Sequence, residues 1–477
     1  MVTDISGSEK NTLLQGSILR SLAQIGVPVI VANLLQSGYI MVDAFWVGRL
    51  GDKAVAAISV SQPIVFLVFA LGIGFSVAGA TLVAQYIGAN RHHEANTIAS
   101  QVFMLALLFG IPISAGAYLL SPALLRTLGT QDDIFALALS FLRVIVSGMV
   151  FTFGFAMLQS LMRGAGEVRI PLMITLGTLI LNAVLDPLLI YGWGALPAFG
   201  VTGAAIATLI SQGIAMVAGL VVLHSRFVVL SVHFRAMRPR LDLLKSVLRL
   251  GVPASIELCA HALSASGMVA LVAVLGTTVT AAYGVVNNIN ALVIVPAIGM
   301  SIATATLVGQ NIGAGHFRRA QAIGRLSAFI AFIALTLVGL CAFIFASDIV
   351  AFFVPHQARV IAQGSHFLHI IAPSYGLIGL QMVINGAFRA MGRTMTTMTL
   401  ALVSQWVVLI PLAWVLSHST PLGISGLWYA FPITNLLIAV VAVVLFARTD
   451  WQRASLVNQP EKAPQGEIVT PADAPSV

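Results

Sequence analysis

Long apolar runs broken by short polar segments dominate the chain. A helix that crosses the hydrocarbon core of a bilayer needs about 20 mostly apolar residues. Cutting at the polar, Gly- and Pro-bearing breaks predicts twelve such spans, near 21–46, 54–82, 96–120, 134–160, 170–192, 201–224, 247–275, 281–308, 322–346, 360–386, 395–417 and 423–447. The runs are long and continuous, unlike the ten-residue alternation of a membrane β-barrel. The expected fold class is an all-α polytopic membrane protein.

The two halves of the pattern repeat. Gly26-Val27-Pro28 opens the first span and Gly251-Val252-Pro253 opens the seventh, 225 residues later. GFSVAGATLVAQYIGA from Gly74 matches GMSIATATLVGQNIGA from Gly299 at the same offset, with 11 of 16 positions identical. Arg163-Gly-Ala-Gly166 matches Arg389-Ala-Met-Gly392, and Gly200-Val-Thr-Gly203 matches Gly423-Ile-Ser-Gly426. Six spans per copy is an even number, so both copies insert the same way up. The expected arrangement is two six-helix lobes related by a pseudo-two-fold axis along the membrane normal. That division gives a tail at 1–20, an N-lobe at 21–224, a basic linker at 225–246, a C-lobe at 247–447 and a disordered tail at 448–477. A cleft between two such lobes suits alternating access, although a duplicated scaffold could also be static.

Composition sharpens this picture. Only 8% of the 477 residues are charged, against about 25% in a soluble protein, and 58% are apolar, with mean hydropathy +0.98. The net charge of +8 does not point to nucleic acid, because the basic residues lie singly or in short loops. If the N-terminus is cytoplasmic, 19 Lys and Arg fall on the inner side. Only Arg49, Lys53, Arg126 and Arg359 fall outside, and Arg143 stays within a span. The positive-inside rule therefore predicts cytoplasmic termini, in a bacterial inner membrane. No signal-peptide core precedes the first span, which is expected to act as its own insertion signal. Cys259 and Cys341 both sit in apolar segments and offer neither a disulfide framework nor a CxxC metal site. No phosphate-binding glycine loop, HExxH motif or Ser/His/Asp constellation occurs, so neither ATP hydrolysis nor enzyme chemistry has support, and transport would run on an ion gradient.

Intramembrane ionisable residues are costly and mark function by default. Three acids fall well within spans: Asp43, Asp186 and Glu257. Asp43 and Asp186 both come late in outward-running helices of the N-lobe. Tyr39 lies one turn before Asp43 and Asn182 one turn before Asp186; Thr178 extends the second face and Gln36 lies close to the first. If the faces converge, desolvation and repulsion favour holding a proton between the two acids. The same oxygens could take Na⁺, and satisfied structural acids are the plain alternative. Glu257 and His261 form a second i,i+4 pair and a possible secondary site. Arg143 reads as a snorkelling or buried structural residue. Gln36, Gln159, Thr178, Gln212, Asn288 and Gln381 are candidates for a polar substrate cavity, as are Asn287, Asn290, Asn385 and Gln405, which serve equally well as links between helices. Pro28 and Pro253 sit early in repeat-related helices and could mark a flexing bend or a static kink.

At these residues the chain resembles the multidrug and toxic compound extrusion (MATE) family over roughly residues 15–450. The pieces that carry the resemblance are VDAFWVGRLG (42–51), ATLVAQYIGA (80–89), LMRGAGEVRIP (161–171), LNAVLDPLLIYG (181–192) and GVTGAAIAT (200–208). It implies a twelve-helix, two-lobe antiporter, expected as a monomer among membrane lipids. Such an antiporter expels small cationic or amphipathic compounds in exchange for H⁺ or Na⁺, with no other cofactor. In the DinF-type branch the cation site lies in the N-lobe, and its residues correspond to Tyr39, Asp43, Asn182 and Asp186, with Thr208 from the sixth helix. NorM-type members place acids in the C-lobe. Here the tenth helix has no carboxylate around Ile378, and the seventh has His261 where that branch has an acid, with Glu257 one turn earlier. Both departures favour the N-lobe pair and proton coupling. A lipid-linked-substrate flippase would need a more basic cavity, and a channel would pass steady current without exchange.

Overall fold

The computed structural model describes residues 13–194, 197–225, 229–232 and 240–457. The linker arginines Arg226, Arg235 and Arg238, the tail lysines Lys10 and Lys462, and residues 458–477 lie outside the described residues. Twelve membrane-length segments follow in order: α1 (Ile18–Gly48), α2 (Asp52–Gly88), α3 (His92–Thr127), α4 (Asp132–Ser147 and Met149–Gly164), α5 (Arg169–Tyr191), α6 (Val201–His224), α7 (Leu241–Ala273), α8 (Thr277–Gly313), α9 (Phe317–Ile344), α10 (Ala358–Ala390), α11 (Thr394–His418) and α12 (Ile424–Ala447). Eleven are single helices. The fourth is a pair bent by 45° at Gly148, where a Cβ would collide with the Leu209 side chain. The all-helical reading of the pattern is the architecture observed.

The helices outrun the apolar windows that announce them. A helix satisfies its own backbone in water as well as in lipid, so α7 starts at Leu241 rather than 247 and carries Lys245 and Arg249 within it. Both repeats turn from their first helix into their second through a glycine with left-handed backbone, Gly51 (φ 100°) and Gly276 (φ 110°), a conformation that costs only glycine nothing. A proline within α10 is accommodated by a 3₁₀ turn at Ala372–Ser374, and α11 widens into π turns over Val403–Leu409.

The lobes meet where the repeat is best preserved. Thr81 Oγ1 donates to the Arg389 carbonyl (3.1 Å) and Gln85 Nε2 to the Ala390 carbonyl (2.7 Å). Their repeat mates do the same in reverse: Thr306 Oγ1 donates to the Arg163 carbonyl (3.1 Å) and Gln310 Nε2 to the Gly164 carbonyl (3.0 Å). Gly88 packs on the backbone of Gln310 and Gly313 on that of Gln85, so closely that neither leaves room for a Cβ. Deeper in, Ser255 Oγ donates to the Leu71 carbonyl (2.8 Å), Gly74 abuts Ser255, and Gly299 abuts Ile30. These contacts all lie in the half of the bundle that carries the chain termini. The opposite half of α2 instead packs within its own lobe, Ala57, Ile64 and Val68 joining Leu125, Leu142 and Phe153.

Both terminal segments reach across the same seam. Arg319 Nη2 donates to the Gly16 carbonyl (2.7 Å), holding the residues before α1 against the C-lobe. After α12, residues 451–457 dock on the N-lobe, although the sequence reads as disordered from 448. Trp451 accounts for the difference: its ring is buried edge-on against Phe446 and brings Leu456 N within 2.7 Å of Gln85 Oε1.

Candidate functional site

On α5, Thr175, Thr178, Asn182 and Asp186 are spaced by three or four residues and all are buried, so one face of this helix is a polar stripe turned into the N-lobe. Pro187 follows at once. Its ring nitrogen carries no N–H, so the helix turn beside Asp186 is short of one backbone donor. Across from this stripe α1 brings Tyr39, buried, and Asp43, partly buried. Asp43 faces Asp186 and Asn182. The Tyr39 hydroxyl faces Thr208 and Ser211 on α6.

Around the two acids a hydrogen bond of ordinary geometry joins Asn182 Nδ2 to Asp186 Oδ1 (3.2 Å). Five buried oxygens there, Tyr39 Oη, Asp43 Oδ1, Asn182 Oδ1, Asp186 Oδ2 and Ser211 Oγ, have no hydrogen-bond partner among the described residues. An unsatisfied buried polar atom costs about 1–3 kcal/mol, so five in one place form a site with unused bonding capacity. Two carboxylates facing each other in a low-dielectric interior cannot both stay ionised without a cation between them. A proton or a small hard cation with oxygen ligands satisfies this set. A transition-metal site is not indicated, since no group of three or more His, Cys, Asp or Glu occurs among the described residues. Ser211 was not anticipated from the sequence, although its position three residues after Thr208 on α6 is the signal that could have found it.

The stripe continues toward the termini side. Gln159 Nε2 donates to Thr175 Oγ1 (2.9 Å), and Arg163 Nη1 donates to Gln159 Oε1 (3.2 Å). Gln159 is thus engaged inside the N-lobe, Thr178 Oγ1 donates to the Thr175 carbonyl (2.9 Å), and Gln212 is buried in the same lobe. Gln36 and Asn288 are exposed, and Gln381 is partly buried.

In the C-lobe, Glu257 is buried but pairs with residues other than His261. Its Oε1 accepts from Arg389 of α10 and its Oε2 from Thr397 Oγ1 of α11 at 2.7 Å. Both oxygens of this acid are spoken for. His261 is exposed and makes no hydrogen bond among the described residues. The positions 225 residues after Tyr39 and Asp43 are Ser264 and Met268. Ser264 Oγ donates to Gln405 Oε1 (2.8 Å) in the π segment of α11, and Met268 is buried among apolar side chains. The C-lobe counterpart of the carboxylate pair is therefore neutral.

Comparison with known proteins agrees with this architecture. The chain is 29% identical over 446 residues to the “Probable multidrug resistance protein YoeA” of Bacillus subtilis (strain 168), covering 93% of this chain and 96% of that protein. It is 26% identical over 447 residues to the “FAD transporter” of Shewanella oneidensis, covering 92% and 97%. Its fold matches the outward-facing structure of a multidrug resistance MATE transporter of the MOP superfamily with a TM-score of 0.85, at 24% identity and covering 91% of this chain and 96% of that one. The MatE family pattern matches twice, at residues 28–188 and 253–415, once in each lobe. This multi-pass chain therefore belongs to the MATE family, whose members are membrane transporters rather than enzymes.

Proposed function

We propose that this protein is a proton-coupled multidrug efflux antiporter of a bacterial inner membrane, with cytoplasmic termini and a DinF-type N-lobe site. It exports small cationic or amphipathic compounds as a monomer. The observation that carries this reading is the facing of Asp43 and Asp186 from two helices of one lobe, amid neutral oxygens with unused bonding capacity. The neutral Ser264–Gln405 pair at the repeat-related place supports confining the coupling chemistry to one lobe.

With the termini in the cytoplasm, the seam of α2, α4, α8 and α10 lies on the inner side, so its closure fits the outward-open state of such a cycle. In that state the carboxyl pair takes a proton from the outer solution. Neutralising the pair removes the repulsion between α1 and α5 and lets the two helices close on each other, which displaces bound substrate outward. The lobes then part at the inner seam, the proton leaves to the cytoplasm, and a new substrate enters. The net cycle exchanges protons for substrate, with a population shift of a few kcal/mol driving each step.

Na⁺ coupling is the second reading, and the hydroxyl and amide oxygens of Tyr39, Ser211 and Asn182 favour it, because a hard cation is held by oxygen ligands. An endogenous anionic or nucleotide-like cargo is the counterpart for the substrate, in line with the flavin-transporting relative. Proteoliposomes under separately imposed pH and Na⁺ gradients decide among these. Fluorescent cation efflux should follow the pH gradient alone. Asp43→Asn and Asp186→Asn should each abolish it while the variants insert and purify normally. Full gradient-driven efflux by both variants would end the assignment, and efflux that follows Na⁺ at constant pH would transfer it to the sodium reading.

A further inference from the structure

The repeat puts matched arginines at the termini-side ends of α4 and α10, and their surroundings differ by one charge. Arg163 and Arg389 are repeat mates, and the main-chain carbonyl of each accepts from the opposite lobe at the seam. In the C-lobe the Arg389 guanidinium is neutralised by Glu257 of α7. The repeat mate of Glu257, 225 residues earlier on α1, is Ala32, and that of Thr397 is Pro171. Arg163 accordingly donates to the neutral Gln159 Oε1 (3.2 Å) and has no acid in ion-pair contact among the described residues. Glu167, the nearest acid along the chain, instead caps α5: its Oε1 accepts from Arg169 N (2.9 Å) and Ile170 N (3.2 Å).

The N-lobe therefore holds an unneutralised cation in line with the carboxylate pair. Gln159 Nε2 meets Thr175 (2.9 Å), and the polar stripe of α5 runs from Thr175 through Thr178 and Asn182 to Asp186. Eleven residues of helix separate Thr175 from Asp186, about 16 Å. The other charged and titratable groups around the pair are engaged elsewhere. Arg49 of α1 lies over the Phe45 and Trp46 rings, Lys53 of α2 pairs with Asp133 of α4, and Arg143 of α4 lies over Tyr118 of α3. Tyr191 of α5 donates to the Trp46 carbonyl (3.0 Å). The helices that pack on α5 and α1, α6 and α8, hold no Asp, Glu, Lys or Arg. Tyr283 of α8 stacks on Phe367 in the C-lobe, and His224 lies at the termini-side end of α6. An uncompensated guanidinium in a span is costly and marks function by default.

We infer that Arg163 is the fixed counter-charge of the Asp43–Asp186 pair, a positioning residue acting through the field along α5, and that Ala32 in place of an acid leaves it uncommitted. This rests on the proton-coupled reading of that pair. A positive charge favours the ionised carboxylate over the protonated one, so Arg163 loosens the proton and eases its departure toward the termini side. The C-lobe has no such task, because the place related to the pair holds the neutral Ser264 and Gln405, and there the matching arginine is paired. Across the ~20 Å that the stripe and Gln159 span, at an effective dielectric near 20, one charge changes proton affinity roughly three- to fourfold, or about half a pH unit.

Infrared titration of the purified full-length protein in lipid nanodiscs reads this through the carboxylic acid C=O band that Asp43→Asn removes in each background. Arg163→Gln should raise the pH midpoint of that band by roughly half a unit, because the proton is held more tightly. Arg163→Lys keeps the charge and should leave the midpoint in place. Ala32→Glu gives Arg163 the partner that Arg389 has and should raise the midpoint as Arg163→Gln does, whereas the neutral Ala32→Gln should not. Variants that lose stability but keep the parent's midpoint would make Arg163 a brace between α4 and α5 and overturn the inference. Equal shifts in Arg163→Lys and Arg163→Gln would overturn it too. A parent with no titrating band that depends on Asp43 would overturn the proton reading and this inference together. A titrating parent band that none of the variants moves would overturn this inference alone.

Discussion

The three intramembrane acids behave differently because of what their oxygens touch. Glu257 is pinned by Arg389 and Thr397, whereas Asp43 and Asp186 each keep one oxygen without a partner. The first arrangement ties α7 to α10 and α11; the second leaves room for a cation. Removing one member of a buried ion pair costs about 3–5 kcal/mol, because it strands the other charge. Glu257→Gln should therefore lower thermal stability in detergent markedly, yet leave efflux per folded molecule close to that of the parent. Asp186→Asn should do the opposite, with efflux lost and the melting temperature unchanged or raised by relief of repulsion. A Glu257→Gln protein that melts normally but loses proton dependence would move the coupling chemistry to the C-lobe.

At the scale of elements, most of the frame was legible in the sequence. Twelve apolar windows, the 225-residue repeat and the i,i+4 spacing of Tyr39–Asp43 and Asn182–Asp186 are local patterns, and helices obey local rules. What the pattern could not announce depends on which helices touch. Glu257 and Arg389 are 132 residues apart, and no periodicity connects them. The i,i+4 spacing instead suggested His261, which lies near Glu257 and Arg389 but makes no hydrogen bond to either among the described residues. The docking of residues 451–457 likewise rests on a single side chain, Trp451, meeting distant partners, and Gly148 at the bend lies against Leu209 of another helix. Helix approach also sets the next prediction. Gly88 on α2 and Gly313 on α8 leave no space for a methyl group against the facing backbone. Gly88→Val should part the two helices and favour the state open on the termini side. Spin labels at Asn90 and Gly315 would read this as a longer distance distribution, and an unchanged distribution would refute a gating role for this contact.

For the whole molecule the notable property is that a symmetric seam is loaded asymmetrically. Gln310 holds one carbonyl across the lobes, while Gln85 holds the Ala390 carbonyl, the Ala454 carbonyl and Leu456 N together. With about 0.5–1.5 kcal/mol net per hydrogen bond, Gln85→Ala should destabilise the closed seam by roughly 1–3 kcal/mol more than Gln310→Ala. Trp451→Ala should remove much of that excess by releasing the docked segment. Distances between labels across the seam in the three variants would check the ranking. Equal effects of the two glutamine variants would show that the docked segment contributes nothing to closure.

Four of the seam's hydrogen bonds have a feature in common: every acceptor is a main-chain carbonyl, and the donors are hydroxyls and amides that neither gain nor lose protons. Acidification or salt leaves such a fastening at nearly constant strength. The timing of the cycle then cannot be written into the fastening itself. It behaves like a spring of fixed stiffness, and on the function proposed above the weight hung on it is the state of the two carboxyls, Asp43 and Asp186, in one lobe.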